Sequence, residues 1–316
     1  MVKIAVAGFG EIAGQIIKAV LADGRHEVTI LARKDAPKDL AAGLSWVKVD
    51  YLDKQQLTQV LRGMHTVLSF ITVVKDLGNR AQINLIDACV EVGVKRFAPS
   101  EWAFYQVDAF AMYQGKRTIR QYLKDLNKDR KVLEYCLFLP GVFMNYLGPP
   151  EKMSKDVSYT QMFLDFEKCR AILPEGPDAT VSFTALGDIA KTVSKALDYE
   201  GEWPVMGGIS GNRTKISELL RLGEKIRGKK FTVETVKLED LNANDYVTSW
   251  NPVTLHPSVP VEQREMVGRE FARLSLIGLS DGIWDISNEW NQLLPDNKFV
   301  TLEEFLRESW GSATAN

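Results

Sequence analysis

Tyr113 and Lys116 stand three residues apart in Tyr113-Gln-Gly-Lys116-Arg117. That spacing puts two side chains on one face of a helix, where both can point into one cleft. A lysine that loses its hydration loses its proton more readily, and near a reacting centre it serves as a general acid. A surface lysine on an amphipathic helix fits the same spacing. None of the nine tyrosines has a lysine four residues on, so Tyr113 and Lys116 are the nearest arrangement to such a pair. Ser100-Glu101 follows an apolar run at residues 94–98. It sits either at the carboxyl edge where open sheets bind ligands or as the cap of the next segment. His26, His65 and His256 are scattered, and the first two precede strands, on the wrong edge of a sheet for catalysis. No metal-ligand constellation and no G-x-S-x-G nucleophile turn is present.

A second group opens the chain, Val2-Lys-Ile-Ala-Val-Ala-Gly8-Phe-Gly10-Glu11-Ile12-Ala13-Gly14. An apolar run breaks into glycines, and an apolar-periodic segment follows at once. Gly8, Gly10 and Ala13 satisfy the G-x-G-x-x-G/A spacing of a dinucleotide turn. In such a turn pyrophosphate approaches the amides at the helix start, here those of Glu11 and Ile12, and a Cβ would hold it away. A G-x-x-G-x-x-G reading anchored on Gly8 and Gly14 puts Glu11 where its middle glycine belongs. A carboxylate there opposes phosphate unless it turns to solvent or meets a cation.

Selectivity follows from the end of the second strand, Leu31-Ala32-Arg33-Lys34. Arg33 and Lys34 are donors only; they suit a 2′-phosphate and offer nothing to a free ribose diol. NADP(H) is therefore expected over NAD(H), with a solvated basic pair as the plain alternative. Asp50 follows the third strand and either accepts from the adenine amino group or caps a helix.

These residues need elements to hold them. Short apolar runs at 2–7, 27–32, 46–49, 66–72, 94–98 and 132–139 alternate with helical patterns, the last of them over 112–126. That alternation predicts an α/β fold with a doubly wound parallel sheet over residues 1–140. After Pro140 the rhythm changes. A strand and helix over 183–199 predict that the chain returns to the sheet near 180–210. A helix at 215–227, a strand at 230–237 and a helical, tryptophan-rich end from 261 make residues 141–316 mainly a smaller, interleaved substrate lobe. The late aromatics, Tyr246, Trp250, Phe271, Trp284, Trp290 and Trp310, line a pocket for a flat substrate or fill core. Residues 311–316 are small and polar and read as disordered.

The totals bound the function. Net charge is −2, so no basic footprint points to nucleic acid or an anionic membrane. No apolar stretch reaches the roughly 20 residues of a membrane span, and no signal peptide is visible. Cys89, Cys136 and Cys169 have no ligand spacing and read as buried thiols of a reducing, cytoplasmic protein.

Several strings together resemble the NmrA-like, isoflavone-reductase-like branch of atypical short-chain dehydrogenases. They are the glycine turn, Ala32-Arg33-Lys34, Lys95-Arg96-Phe97-Ala98-Pro99-Ser100-Glu101-Trp102 and Lys116-Arg117-Thr-Ile-Arg120. Leu139-Pro140-Gly141-Val142-Phe143-Met144-Asn145-Tyr146 and Thr184-Ala-Leu-Gly-Asp188-Ile189-Ala190 belong with them. The Lys-Arg-Phe-x-Pro-Ser-Glu string is the most specific part, and the resemblance covers about residues 2 to 230.

The resemblance implies a Rossmann domain, NADPH, and hydride transfer to a C=C or C=O of a small aromatic or polyketide-like metabolite. It implies that Lys116 is catalytic or positions the nicotinamide: Lys116 would orient the ribose or, with Tyr113 or a water, supply the proton. It places Ser69, Phe70, Ile71, Ser100, Gly141 and Phe143 along the cofactor, and Trp102, Phe143 and Tyr146 at the substrate; Trp250, one of the late aromatics, is a further candidate substrate contact. A small-molecule substrate and a monomer or homodimer are expected. Some relatives bind NADP as redox sensors and catalyse nothing. Glu11 and the missing Tyr-x-x-x-Lys motivate that second reading for this chain.

Overall fold

The computed structural model describes residues 2–107, 110–153, 157–257 and 259–311. Two compact units emerge. One comprises Met1–Leu139, Ile189–Ile209 and Ser287–Asn297; the other comprises Pro140–Asp188, Ser210–Ile286 and Lys298–Asn316. The return to the first unit at Ser287–Asn297 had no counterpart in the sequence reading.

In the first unit β1 (Lys3–Ala7) buries four of its five residues, as the middle strand of a sheet covered on both faces must. α1 (Glu11–Ala22) follows and buries Ala13, Ile16, Ile17 and Val20, one stripe at helical spacing. Then come β2 (Glu27–Ala32), β3 (Leu44–Lys48), α2 (Lys54–Val60), β4 (Thr66–Ser69), α3 (Arg80–Val92), β5 (Arg96–Ala98), α4 (Gln114–Leu126), β6 (Glu134–Tyr135) and β7 (Leu137–Leu139). The sheet order is β3-β2-β1-β4-β5-β6, with every pair parallel. Strand order reverses between β1 and β4, so ligands are expected at the carboxyl ends of those two strands.

The remaining elements, in chain order, are β8 (Val142–Phe143), α5 (Pro150–Met153), β9 (Leu164–Asp165), β10 (Arg170–Pro174), β11 (Thr180–Thr184), α6 (Leu186–Asp198) and β12 (Met206–Gly208). They continue with β13 (Asn212–Lys215), α7 (Ile216–Arg227), β14 (Thr232–Val236), α8 (Leu238–Ala243), α9 (Arg264–Ser280), α10 (Glu289–Leu293) and α11 (Leu302–Trp310). The second unit holds two three-stranded sheets, β14-β10-β9 and β13-β11-β8.

In the first unit β12 pairs in parallel with β7, Leu137 opposite Met206. Arg96 ties this return down. Its Nε meets Glu134 at 2.8 Å, and its other nitrogens donate to the carbonyls of Tyr199 at 2.8 Å and Gly201 at 2.6 Å. Trp290 of α10 lies flat against Phe138, centroids 5.5 Å apart.

Three boundaries differ from the sequence reading. The run at 66–72 leaves the sheet after Ser69, although Phe70 and Ile71 are as apolar as the strand before them. The run at 132–139 is two short strands, because the chain changes partner at Cys136 from β5 to β12. The pattern at 112–126 becomes helical only at Gln114, after a 3₁₀ turn at Ala111–Tyr113. Of the tail expected to be disordered, residues 312–316 lie outside the described residues.

Most late aromatics are core. Tyr246, Trp250, Trp284, Trp290 and Trp310 are all buried. The indole of Trp284 donates to the Ser275 carbonyl at 3.0 Å and that of Trp310 to the Leu147 carbonyl at 2.8 Å. The three cysteines are free and buried, and burial raises the Cys89 and Cys136 thiols far above their ordinary value. Among the described residues no helix is long and apolar enough to cross a membrane, and no three His, Cys, Asp or Glu residues gather as a metal site.

Candidate active site

The turn between β1 and α1 needs its glycines for two different reasons. Gly8 has φ +94°, and a Cβ on it would sit 3.0 Å from the Phe70 carbonyl oxygen. Gly10 caps α1 with extended backbone and no side chain, and a Cβ there would meet nothing within 4 Å. Space therefore opens beside the first amides of α1, which have no acceptor within the helix. Glu11 and Ile12 are the first two residues of that helix. The electropositive helix start favours the Glu11 carboxylate as well as any anionic ligand.

A cavity of about 770 Å³ lies over this turn, entirely within the first unit. That is a usual size for a small-molecule site, roughly 300–1,000 Å³. Its wall includes Gly8, Gly10, Arg33, Lys34, Asp50, Phe70 and Ile71, as the sequence led one to expect. It also includes Phe9, Trp46, Tyr51, Lys75 and Arg80, which the sequence reading did not single out. Lys75 and Arg80 lie in the stretch just past the carboxyl end of β4, and that position was the signal available for them.

The acids on the wall are already engaged. Both oxygens of Asp35 meet Lys48 Nζ, at 2.9 and 3.1 Å. Asp76 accepts from the amides of Ala81 and Gln82 at the start of α3. Asp50 closes its own turn by accepting from the Leu52 amide at 2.9 Å, while the cap of α2 is Asp53. In contrast, Arg33, Lys34, Lys75 and Arg80 make no ion pair among the described residues. The cavity thus presents unneutralised positive charge. Tyr51 is buried beneath it, its hydroxyl donating to the Leu31 carbonyl at 2.6 Å, and burial raises that phenol well above its ordinary value.

Past β5, Glu101 organises a second group. Its carboxylate is buried and pairs with Arg120 through both oxygens, at 2.9 and 2.5 Å. Its carbonyl accepts a hydrogen bond from Lys116 Nζ. Lys116 is buried on α4, with its ammonium 4.3 Å from the centroid of Tyr113. Burial lowers its pKa to about 8, against the opposing pull of Glu101. Tyr113 does not share the helix with Lys116. It ends the 3₁₀ turn that precedes α4 and offers Lys116 its ring face, and burial raises its phenol. Gly115 keeps this corner tight, since a Cβ there would lie 2.5 Å from Asn79 Oδ1 and 2.8 Å from Val73 Cγ1.

Other expected residues take different places. Ser69 is fully buried and donates to Gln82 Oε1 at 3.3 Å; the Ser100 amide donates to the same oxygen at 3.0 Å. Trp102, with φ +42°, stacks between Phe70 at 4.4 Å and Phe138 at 5.4 Å, and its indole donates to the Ser69 carbonyl. It backs the cavity wall from the interior, which corrects its reading as a substrate contact.

Within the second unit, Gly141 has φ +70°, and a Cβ would come 2.5 Å from the Ser182 carbonyl oxygen. Close backbone packing therefore suffices to explain that glycine. Phe143 and Tyr146 are half-buried neighbours, ring centroids 5.7 Å apart. Trp250 is buried under the Arg170 guanidinium at 4.1 Å.

Comparison with known proteins places this arrangement. The family model described as the NmrA-like family matches residues 2–306. Oxidoreductase BOA1 of Botryotinia fuckeliana is 28% identical over 237 residues, covering 73% of this chain and 78% of that one. Oxidoreductase swnN of Metarhizium robertsii is 24% identical, with 98% of each chain covered. Among solved structures, AtPrR2 with NADP+ and (+)pinoresinol superposes with a TM-score of 0.71 at 20% identity, covering 97% of this chain and 98% of that one. A ternary complex of leucoanthocyanidin reductase from Vitis vinifera gives 0.68 at 21%, with the same coverage. The NADPH-dependent quinone oxidoreductase QOR2 of Escherichia coli gives 0.66 at 18%, covering 96% and 98%. At these identities the structural likeness establishes a shared fold.

Proposed function

The chain belongs to the NmrA-like family, and from that premise we propose that it is an NADPH-dependent reductase of a C=C or C=O in a small aromatic or polyketide-like metabolite. One observation carries the reading above the others. A single cavity joins the glycine turn at the start of α1 to the unpaired cations Arg33 and Lys34. The residues present fit NADPH: the amides of Glu11 and Ile12 would take the pyrophosphate, and Arg33 and Lys34 the 2′-phosphate. Asp50 would accept from the adenine amino group with the oxygen that does not hold Leu52. Phe70 and Ile71 would flank the chain of the cofactor. When bound, the reduced nicotinamide supplies the hydride.

The protein's part is orientation and the proton. The Glu101 carbonyl fixes Lys116 Nζ, and Arg120 in turn fixes Glu101. A pKa of about 8 lets Lys116 give a proton near neutral pH and regain it from water. Reduction needs one hydride and one proton, and Lys116 Nζ is the donor we assign, with Tyr113 as the face that shields it. The fungal relatives named as oxidoreductases support net reduction. Solved neighbours named for leucoanthocyanidin, pinoresinol and quinone support an aromatic substrate class.

The test is a titration of the purified chain with NADPH and NADH, followed by NADPH oxidation against a panel of phenolic enones, quinones and polyketide ketones. Tight NADPH binding with turnover of one class supports the reading. Tight binding with no turnover of any, and no effect of Lys116→Ala on affinity, favours the non-catalytic NADP sensor that Glu11 suggests.

A further inference from the structure

Trp46 and Lys48 lie two residues apart on β3, so their side chains leave the same face of that strand. β3 is the edge of the sheet, and β2 runs beside it with Ile30 opposite Trp46 and Ala32 opposite Lys48. Arg33 and Lys34 come just after that last register position, outside the ladder. Each of the two β3 side chains ties down one residue of this loop. The Trp46 indole N–H donates to the Lys34 carbonyl at 2.9 Å. Lys48 Nζ binds both carboxylate oxygens of Asp35, at 2.9 and 3.1 Å. The Trp46 ring also meets Phe9 edge-on at 5.5 Å, and Phe9 stands between the two glycines of the phosphate turn. Trp46, Phe9, Lys34 and Asp35 all face the one cavity.

Two consequences follow. Arg and Lys side chains lose much rotamer freedom when held against a phosphate, and a backbone already fixed leaves less to lose. Asp35 is the acid next to the cationic pair, and Lys48 offsets its charge where a bound 2′-phosphate would otherwise meet it. We propose that Trp46 is a positioning residue for nucleotide selectivity: by holding the Lys34 carbonyl it sets the preference for a 2′-phosphorylated dinucleotide, with Lys48 as the second tie of the same loop. This rests on the NADPH reading above.

The test is equilibrium titration of the full chain with NADPH and with NADH, following quenching of protein fluorescence, for wild type, Trp46→Phe, Lys48→Met, Lys48→Arg and Arg33→Ala. Trp46→Phe keeps a phenyl ring toward Phe9 but loses the N–H together with the five-membered ring of the indole. It is expected to weaken NADPH binding roughly three- to tenfold, the worth of one hydrogen bond, and to leave NADH within twofold. Lys48→Met is expected to act in the same direction, and Lys48→Arg to restore wild-type selectivity. These two variants carry the prediction should Trp46→Phe fail to fold. If Arg33→Ala collapses the NADPH preference while Trp46→Phe and Lys48→Met leave it unchanged, or weaken both nucleotides equally, the role given to Trp46 is wrong and the NADPH reading stands. If Arg33→Ala also leaves the preference unchanged, or wild type has none, the NADPH reading itself is wrong.

Discussion

Arg120 grips the Glu101 carboxylate through both oxygens, at 2.9 and 2.5 Å. The same Glu101 offers its carbonyl to Lys116. The ion pair therefore holds in place the residue whose carbonyl fixes the lysine.

Arg120→Met should leave the Glu101 carboxylate, whose side chain is 1% exposed, buried without a partner. Removing one member of such a pair costs about 3–5 kcal/mol, measurable by urea unfolding. Adding Glu101→Gln to Arg120→Met should recover much of the loss. An undiminished stability in Arg120→Met would mean that the pair is already solvated.

Lys116 titrates near 8 in the fold against an ordinary value of 10.5. Below about 8 it is protonated both folded and unfolded, and the penalty on its buried charge is constant. Between about 8 and 10.5 the unfolded chain holds a proton that the folded chain has released, so this group makes stability rise with pH. Lys116→Met should abolish that rise, as denaturant unfolding at pH 7 and pH 9.5 would show. Activity should run the other way. With protonated Lys116 as the donor, kcat/KM should fall above about pH 8, and Lys116→Ala should lower turnover about 10²–10⁴-fold. Intact turnover in that variant would remove the assignment.

Arg33→Ala combined with Lys34→Ala should weaken NADPH binding at least tenfold. Each charge-assisted hydrogen bond is worth about 1.5–3 kcal/mol, and NADH has no 2′-phosphate to lose. Because both cations are exposed, wild-type affinity for NADPH should also fall with added salt more than that for NADH. Equal affinity of the wild type for both nucleotides would end this role for the pair.

Glu11 opens α1 beside the phosphate turn. Glu11→Gly should tighten NADPH binding a few-fold by removing a negative charge. It should also lower the melting temperature, because a carboxylate at a helix start contributes about 0.3–1 kcal/mol. Glu11→Gln removes the charge but keeps the side chain, so any further loss of stability in Glu11→Gly belongs to glycine's poor helix propensity. Weaker NADPH binding in both variants would give the carboxylate a positive role.

The residues that build the nucleotide side were legible because their signal is local. β1 is apolar throughout since both faces are covered, and Gly8 must be glycine for its own φ. The errors arose where a neighbour distant in sequence decides. Nothing in Phe70-Ile71 says that the ladder stops at Ser69; what ends it is the path of the chain along the cavity. Tyr113 and Lys116 have helical spacing, yet the helix begins between them. Trp102 reads as a ring free for a ligand until Phe70 and Phe138 are seen on its two faces. In the second unit β10 pairs with β14, some sixty residues later, and no local pattern records such a partnership.

The stacking of Trp290 on Phe138 bears on how the protein is made. The first 139 residues carry the whole six-stranded sheet, but β7 acquires its partner strand only when Met206–Gly208 is synthesised. Trp102 is made before Phe138 and Trp203 about 65 residues after it, but the stacked ring of Trp290 arrives only about 150 residues behind Phe138. At ribosomal rates of about 5–20 residues per second, the edge of β7 stays bare for roughly 3–14 s, and Phe138 waits for its Trp290 stack for roughly 8–30 s. During that interval the half-made chain is a natural client for chaperones. An excised nucleotide domain ending at residue 139 would stay in that condition permanently.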